Sequence, residues 1–69
     1  MNKEDFRRKI VNEPDAMVVV FRQLIILAKE NHIFVPPAVV DITNKLANGY
    51  RLTEKQQDVL IRFKQRVMV

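Results

Sequence analysis

Between Ala16 and Ala28, eleven of thirteen positions are apolar, interrupted only by Arg22 and Gln23. Pro14 and Asn31 bound this run and no glycine falls inside it, which predicts one helix reaching to about Asn31. A strand reading of Val18-Val19-Val20 and Ile25-Ile26 competes, because β-branched residues favour strands, but no turn chemistry separates the two runs. Wound at 100° per residue, Ala16, Met17, Val18, Val20, Phe21, Leu24, Ile25, Leu27 and Ala28 share an arc of about 200°, which is the expected core face. Val19 and Ile26 fall outside it, one heptad apart, with Arg22 and Lys29 on one edge and Gln23 and Glu30 on the other. An apolar pair framed by charge at seven-residue spacing is what a helix presents to another helix.

The flanking segments carry their own boundary chemistry. Asn2 is placed to cap a short first helix, Glu4 and Asp5 suit the positive end of its dipole, and Phe6 with Ile10 give it a small apolar stripe. Asn12-Glu13-Pro14-Asp15 breaks that helix and starts the next, proline fitting a first turn where its missing N–H costs nothing. Ile33 to Pro37 is expected to be extended, since a residue before proline is driven out of helical geometry. Pro37 then opens a third helix, with Val39, Ile42 and Leu46 inward, that Gly49 ends in a left-handed turn. Thr53-Glu54-Lys55-Gln56 has the form of a capping box and starts a fourth helix reaching Val67. Its predicted core stripe is Val59, Leu60, Phe63 and Val67, while Lys55, Arg62 and Arg66 line one edge. Ile61 and Met68, again a heptad apart, are expected on the opposite, polar side. The predicted fold is all-α, a single domain over residues 1–69: a compact bundle of three main helices plus a short N-terminal one.

A chain of 69 residues buries only about 60 to 65 per cent of its unfolded surface, so stability is thin without a supplement. With no cysteine and one histidine, disulfides and zinc are excluded, which leaves oligomerisation. The N-terminus shows no signal-peptide pattern, and the Ala16–Ala28 run falls short of the roughly 18 apolar residues that a membrane span needs. A cytoplasmic protein is expected, with no membrane partner. Net charge is +4, and the positive excess lies at the C-terminal end, where Arg51, Lys55, Arg62, Lys64 and Arg66 face only Glu54 and Asp58.

Catalysis lacks its parts. There is no serine or cysteine, the only hydroxyl candidates being Thr43 and Thr53, and Thr53 is already spoken for as a cap. His32 falls at the expected end of the second helix, where an imidazole complements the helix dipole. Carboxylates are scattered, and one glycine cannot build a phosphate-cradling loop. No enzyme, cofactor, metal or small-molecule substrate is expected.

Leu52-Thr53-Glu54-Lys55-Gln56-Gln57-Asp58-Val59-Leu60 resembles the opening helix of LexA-type and other winged-helix repressors, which reads Leu-Thr-x-x-Gln-x-x-Val/Ile-Leu. That resemblance covers nine residues and implies a turn and recognition helix beyond it, for which Val69 leaves no room, so no base-reading residue is carried over. Gly49 to Gln56 is also similar to a Gly-x-x-Leu-Thr/Ser-x-x-Gln pattern in small phage proteins. In a helix-turn-helix built from the third and fourth helices, the fourth would present Glu54, Gln57 and Asp58 to DNA, and the two carboxylates would be repelled.

The expected function is therefore binding another protein, as an adaptor, modulator or inhibitor of phage or mobile-element style, and as a homodimer or docked subunit. The expected interface is Val19, Arg22, Ile26, Lys29, Ile61 and Met68. The alternative is nucleic-acid binding through Tyr50, Arg51, Lys55, Arg62 and Arg66, with the tyrosine stacking on an unpaired base.

Overall fold

The computed structural model describes residues 3–68, and Asn2, the proposed first cap, lies outside them. Four helices follow one another: α1 Lys3–Asn12, α2 Pro14–Glu30, α3 Pro37–Ala47 and α4 Glu54–Val67. No strand occurs among the described residues, so the helical reading of Val18–Val20 and Ile25–Ile26 holds. Among the described residues no helix is long and apolar enough to cross a membrane.

Each boundary has a local cause. Pro14 and Pro37 occupy first-turn positions of α2 and α3. At α4 the capping box is complete, with the Gln56 N–H donating to Thr53 Oγ1 at 3.2 Å and the Thr53 N–H donating to Gln56 Oε1 at 2.9 Å. Both α2 and α3 end in Schellman turns. After α3, Gly49 takes φ +83°, its N–H reaching the Leu46 carbonyl at 3.1 Å while the Tyr50 N–H reaches Lys45 at 3.0 Å. After α2 the same geometry is built on His32 at φ +58°, with the His32 N–H on Lys29 at 3.2 Å and the Ile33 N–H on Ala28 at 2.8 Å.

Phe21, Leu60, Val39 and Thr43 are the largest of the fully buried side chains, so the centre lies where α2, α3 and α4 converge. Thr43 is satisfied there by donating to the Val39 carbonyl at 2.7 Å. Helix α1 packs on α2 and α4 but not on α3, which places it across the bundle from α3. It is a fuller member of the core than its short apolar stripe suggests. Phe6 and Ile10 are buried, the Phe6 ring meets Phe21 edge-on, and Lys64 Nζ lies 4.9 Å from the Phe6 ring centroid. Arg7 closes the same seam by pairing with Asp58, with Glu54 at 3.8 Å.

Docking of α1 on α4 changes the fate of Ile61. Expected on a polar outer side, it is 3 per cent exposed and belongs to the core. The expectation assumed that α4 buries one stripe. With α1 as an additional neighbour it buries Gln57, Leu60, Ile61 and Phe63, and Ile61 is lost to any outer interface. Gln57, expected among the exposed first turns, is buried as well and donates from Nε2 to the Leu52 carbonyl at 3.2 Å.

Candidate functional site

The α2 helix presents two opposite faces. Met17, Val18, Phe21, Leu24 and Ala28 are buried, with Val20 and Ile25 packed at the edges of the core. On the outside, Val19 is 56 per cent and Ile26 57 per cent exposed, the arrangement that their spacing predicts. Leu27, assigned to the core by its place on the helical wheel, is 42 per cent exposed, and Ala16 is exposed too. Core burial on α2 thus covers a narrower arc than 200°, because its neighbours leave the Ala16–Leu27 side open. The result is a wider outer face, running Ala16, Val19, Gln23, Ile26, Leu27 and Glu30.

Arg22 and Lys29 are exposed along one margin of this face, joined one heptad earlier by Asp15. None of these three makes an ion pair among the described residues. Met68 is exposed immediately after α4, but without Ile61 it is a single apolar side chain rather than half of a pair.

The five basic and aromatic candidates do not form one site. Tyr50 and Arg51 line a depression of about 280 Å³ together with Ile10, Val11, Pro14, Leu46, Gly49, Leu52 and Gln57. Arg62 and Arg66 flank a different one, of about 330 Å³, floored by Pro36, Val39, Val59 and Phe63. Lys55 lies exposed in the first turn of α4 and lines neither. Tyr50 is 64 per cent exposed. None of Arg51, Lys55, Arg62 and Arg66 is ion-paired among the described residues. Electrostatically the start of α4 is milder than its sequence suggests, because Asp58 faces Arg7 and Gln57 is turned inward.

Three further exposed apolar side chains had no periodic signal: Val11 near the end of α1, Phe34 and Val40. Phe34 lies in the extended link between α2 and α3, and Val40 lies on the outer side of α3. For Phe34 the readable cue is its place before Val35-Pro36-Pro37, where an extended backbone turns alternate residues away from the core.

Among the described residues no group of His, Asp and Glu side chains is assembled as a metal site. His32 is exposed and has its structural part in the backbone turn that ends α2. No protein-family model, curated protein or solved structure matches this chain.

Proposed function

We propose that this chain is a non-enzymatic helical protein, working in the cytoplasm, whose task is to bind another protein through the outer face of α2. One observation carries the reading: Val19 and Ile26 stand more than half exposed, two turns apart on the same side of a helix whose opposite face is the core. Leu27 and Ala16 extend the apolar area beyond the pair. Scattered exposed aliphatic groups need no explanation, but apolar groups that recur along one side of a helix and are rimmed by charge have the pattern of a contact surface. The small size of the domain adds a motive, since covering this strip supplies burial that the chain cannot supply alone. The basic edge of α4 suits steering toward an acidic surface rather than anchoring.

The non-enzymatic reading rests on side-chain chemistry. No serine or cysteine exists to act as a nucleophile, Thr43 and Thr53 are engaged in backbone hydrogen bonds, and among the described residues His32 is not gathered into a cluster with carboxylates.

A photoreactive phenylalanine analogue placed at position 26, with position 41 on the exposed side of α3 as the control, tests the proposal in cells. Protein adducts at 26 and none at 41 are expected. Equal labelling, or none, overturns it.

That Arg51, Lys55, Arg62 and Arg66 make no ion pair among the described residues favours a second reading, contact with nucleic acid. Phosphate contacts of this kind weaken steeply with salt. Fluorescence anisotropy with a labelled oligonucleotide separates the two readings. A salt-labile rise that Arg62→Ala and Arg66→Ala remove would support nucleic acid, and a flat response supports the protein partner.

A further inference from the structure

We infer that the occupant of the α2 face is a second copy of the same chain, with the two α2 helices antiparallel across a twofold axis. This rests on the protein-binding reading of that face and adds its partner, orientation and register.

The outer residues of α2 fall into a heptad. Ala16, Gln23 and Glu30 occupy one seam position, Val19 and Ile26 the other, and Asp15, Arg22 and Lys29 recur at seven-residue intervals along one flank. All of these side chains are exposed. The order of charge along that flank is acidic, basic, basic, so the helix is complementary to its own reverse. When Ala16 faces Ile26 of the other copy and Gln23 faces Val19, Asp15 of each copy meets Lys29 of the other, twice by symmetry. Flanking charges of this kind set helix orientation and partner choice.

Competing arrangements fail on the same residues. In a parallel pair Glu30 faces Glu30 in the seam and no unlike charges meet along the flank. Sliding the antiparallel pair one heptad toward the C-terminus sets Arg22 against Lys29. Sliding it one heptad toward the N-terminus pairs Asp15 with Arg22 but leaves Ile26 uncovered. Only the intermediate register covers Val19 and Ile26 in both copies and pairs unlike charges. Its cost is Arg22 facing its symmetry mate at the axis, where both guanidinium groups extend into water and repel weakly.

Sedimentation across a roughly hundredfold concentration range measures the association. A monomer–dimer equilibrium is expected, abolished by Ile26→Asp. Asp15→Lys and Lys29→Asp should each weaken the dimer about tenfold at low salt, since each substitution acts twice, and combining them should restore it to within about threefold. Orientation is read independently in this cysteine-free chain with a short bis-maleimide. Arg22→Cys should cross-link to itself. Lys29→Cys should not, because its symmetry mate lies about 21 Å away along the axis, but it should link to Asp15→Cys in a mixed sample.

A monomer at every concentration overturns the inference, and so does a dimer that Ile26→Asp leaves intact. A dimer with self-linking Lys29→Cys, or with no rescue by the double reversal, overturns the antiparallel register. Adducts at position 26 whose mass does not correspond to two copies would leave the protein-binding reading standing while this inference falls.

Discussion

The Phe6 ring meets the Phe21 ring edge-on, with centroids 5.5 Å apart and planes at 81°, and this contact joins the N-terminal helix to the centre of the bundle. Phe21 is wholly buried, and Phe6 is covered on another side by Lys64. Removing the Phe6 ring deletes an aromatic pair, a cation–π contact and a large apolar volume together. Phe6→Ala should cost about 3–5 kcal/mol, most of what a domain of this size possesses. Phe6→Leu keeps much of the volume and should cost less than half of that. Urea unfolding followed by circular dichroism gives both values, and a loss below about 1 kcal/mol for Phe6→Ala would mean that α1 is dispensable.

Arg7 and Asp58 are paired across the α1–α4 seam, both partly shielded from water. A partly exposed pair with good geometry is worth modestly more than an open surface pair. A double-mutant cycle with Arg7→Ala and Asp58→Ala should give a coupling of about 1 kcal/mol that shrinks as salt is raised. A coupling near zero at low salt would mean that this pair adds nothing to the hold that Phe6 and Ile10 give α1.

Most of the fold was readable because its boundaries are local. Proline at a first turn, Thr53 and Gln56 three residues apart, and Gly49 after Asn48 each act within one or two turns of chain, so their consequences do not depend on what packs nearby. Ile61, Gln57 and Leu27 were misplaced for the opposite reason. Their exposure depends on which helices lie beside α4 and α2, and a helical wheel carries no record of neighbours. The weight of α1 was missed in the same way: two apolar residues on a ten-residue helix look slight until Phe21, Lys64 and Asp58 are seen to converge on it. Of the candidate interface, Val19 and Ile26 were legible because their heptad spacing lies opposite a continuous core face on the same helix.

His32 and Gly49 occupy the same position in equivalent helix-ending turns, and substituting them should have opposite effects. A side chain at positive φ costs about 1–2 kcal/mol, partly offset by the greater freedom of glycine in the unfolded chain. His32→Gly should therefore raise stability by about 0.5 kcal/mol, and Gly49→Ala should lower it by about 1 kcal/mol. At Gly49 an added Cβ meets nothing within 4 Å, so the loss there reports backbone conformation alone. Denaturation midpoints for the two variants check the signs. Destabilisation by His32→Gly would show that the imidazole contributes more than a place in the turn.

Ile61 and Ile26 are the same residue type on two helices, one buried and one 57 per cent exposed, and they separate folding from binding. Ile61→Ala removes side-chain volume from the core between α4 and its neighbours and should cost about 2–4 kcal/mol in the monomer. Ile26→Ala removes the same atoms from a surface already wet, and its effect on the dilute protein should stay within about 0.5 kcal/mol. The order should reverse in binding. Ile26→Ala should weaken association through α2 while leaving the circular dichroism spectrum unchanged, whereas Ile61→Ala should affect association only through the loss of folded protein. Thermal melts at low concentration, paired with sedimentation at high concentration, measure the two effects separately. A large stability loss from Ile26→Ala in the dilute monomer would place that side chain in the intramolecular core and remove the basis for an interface on α2.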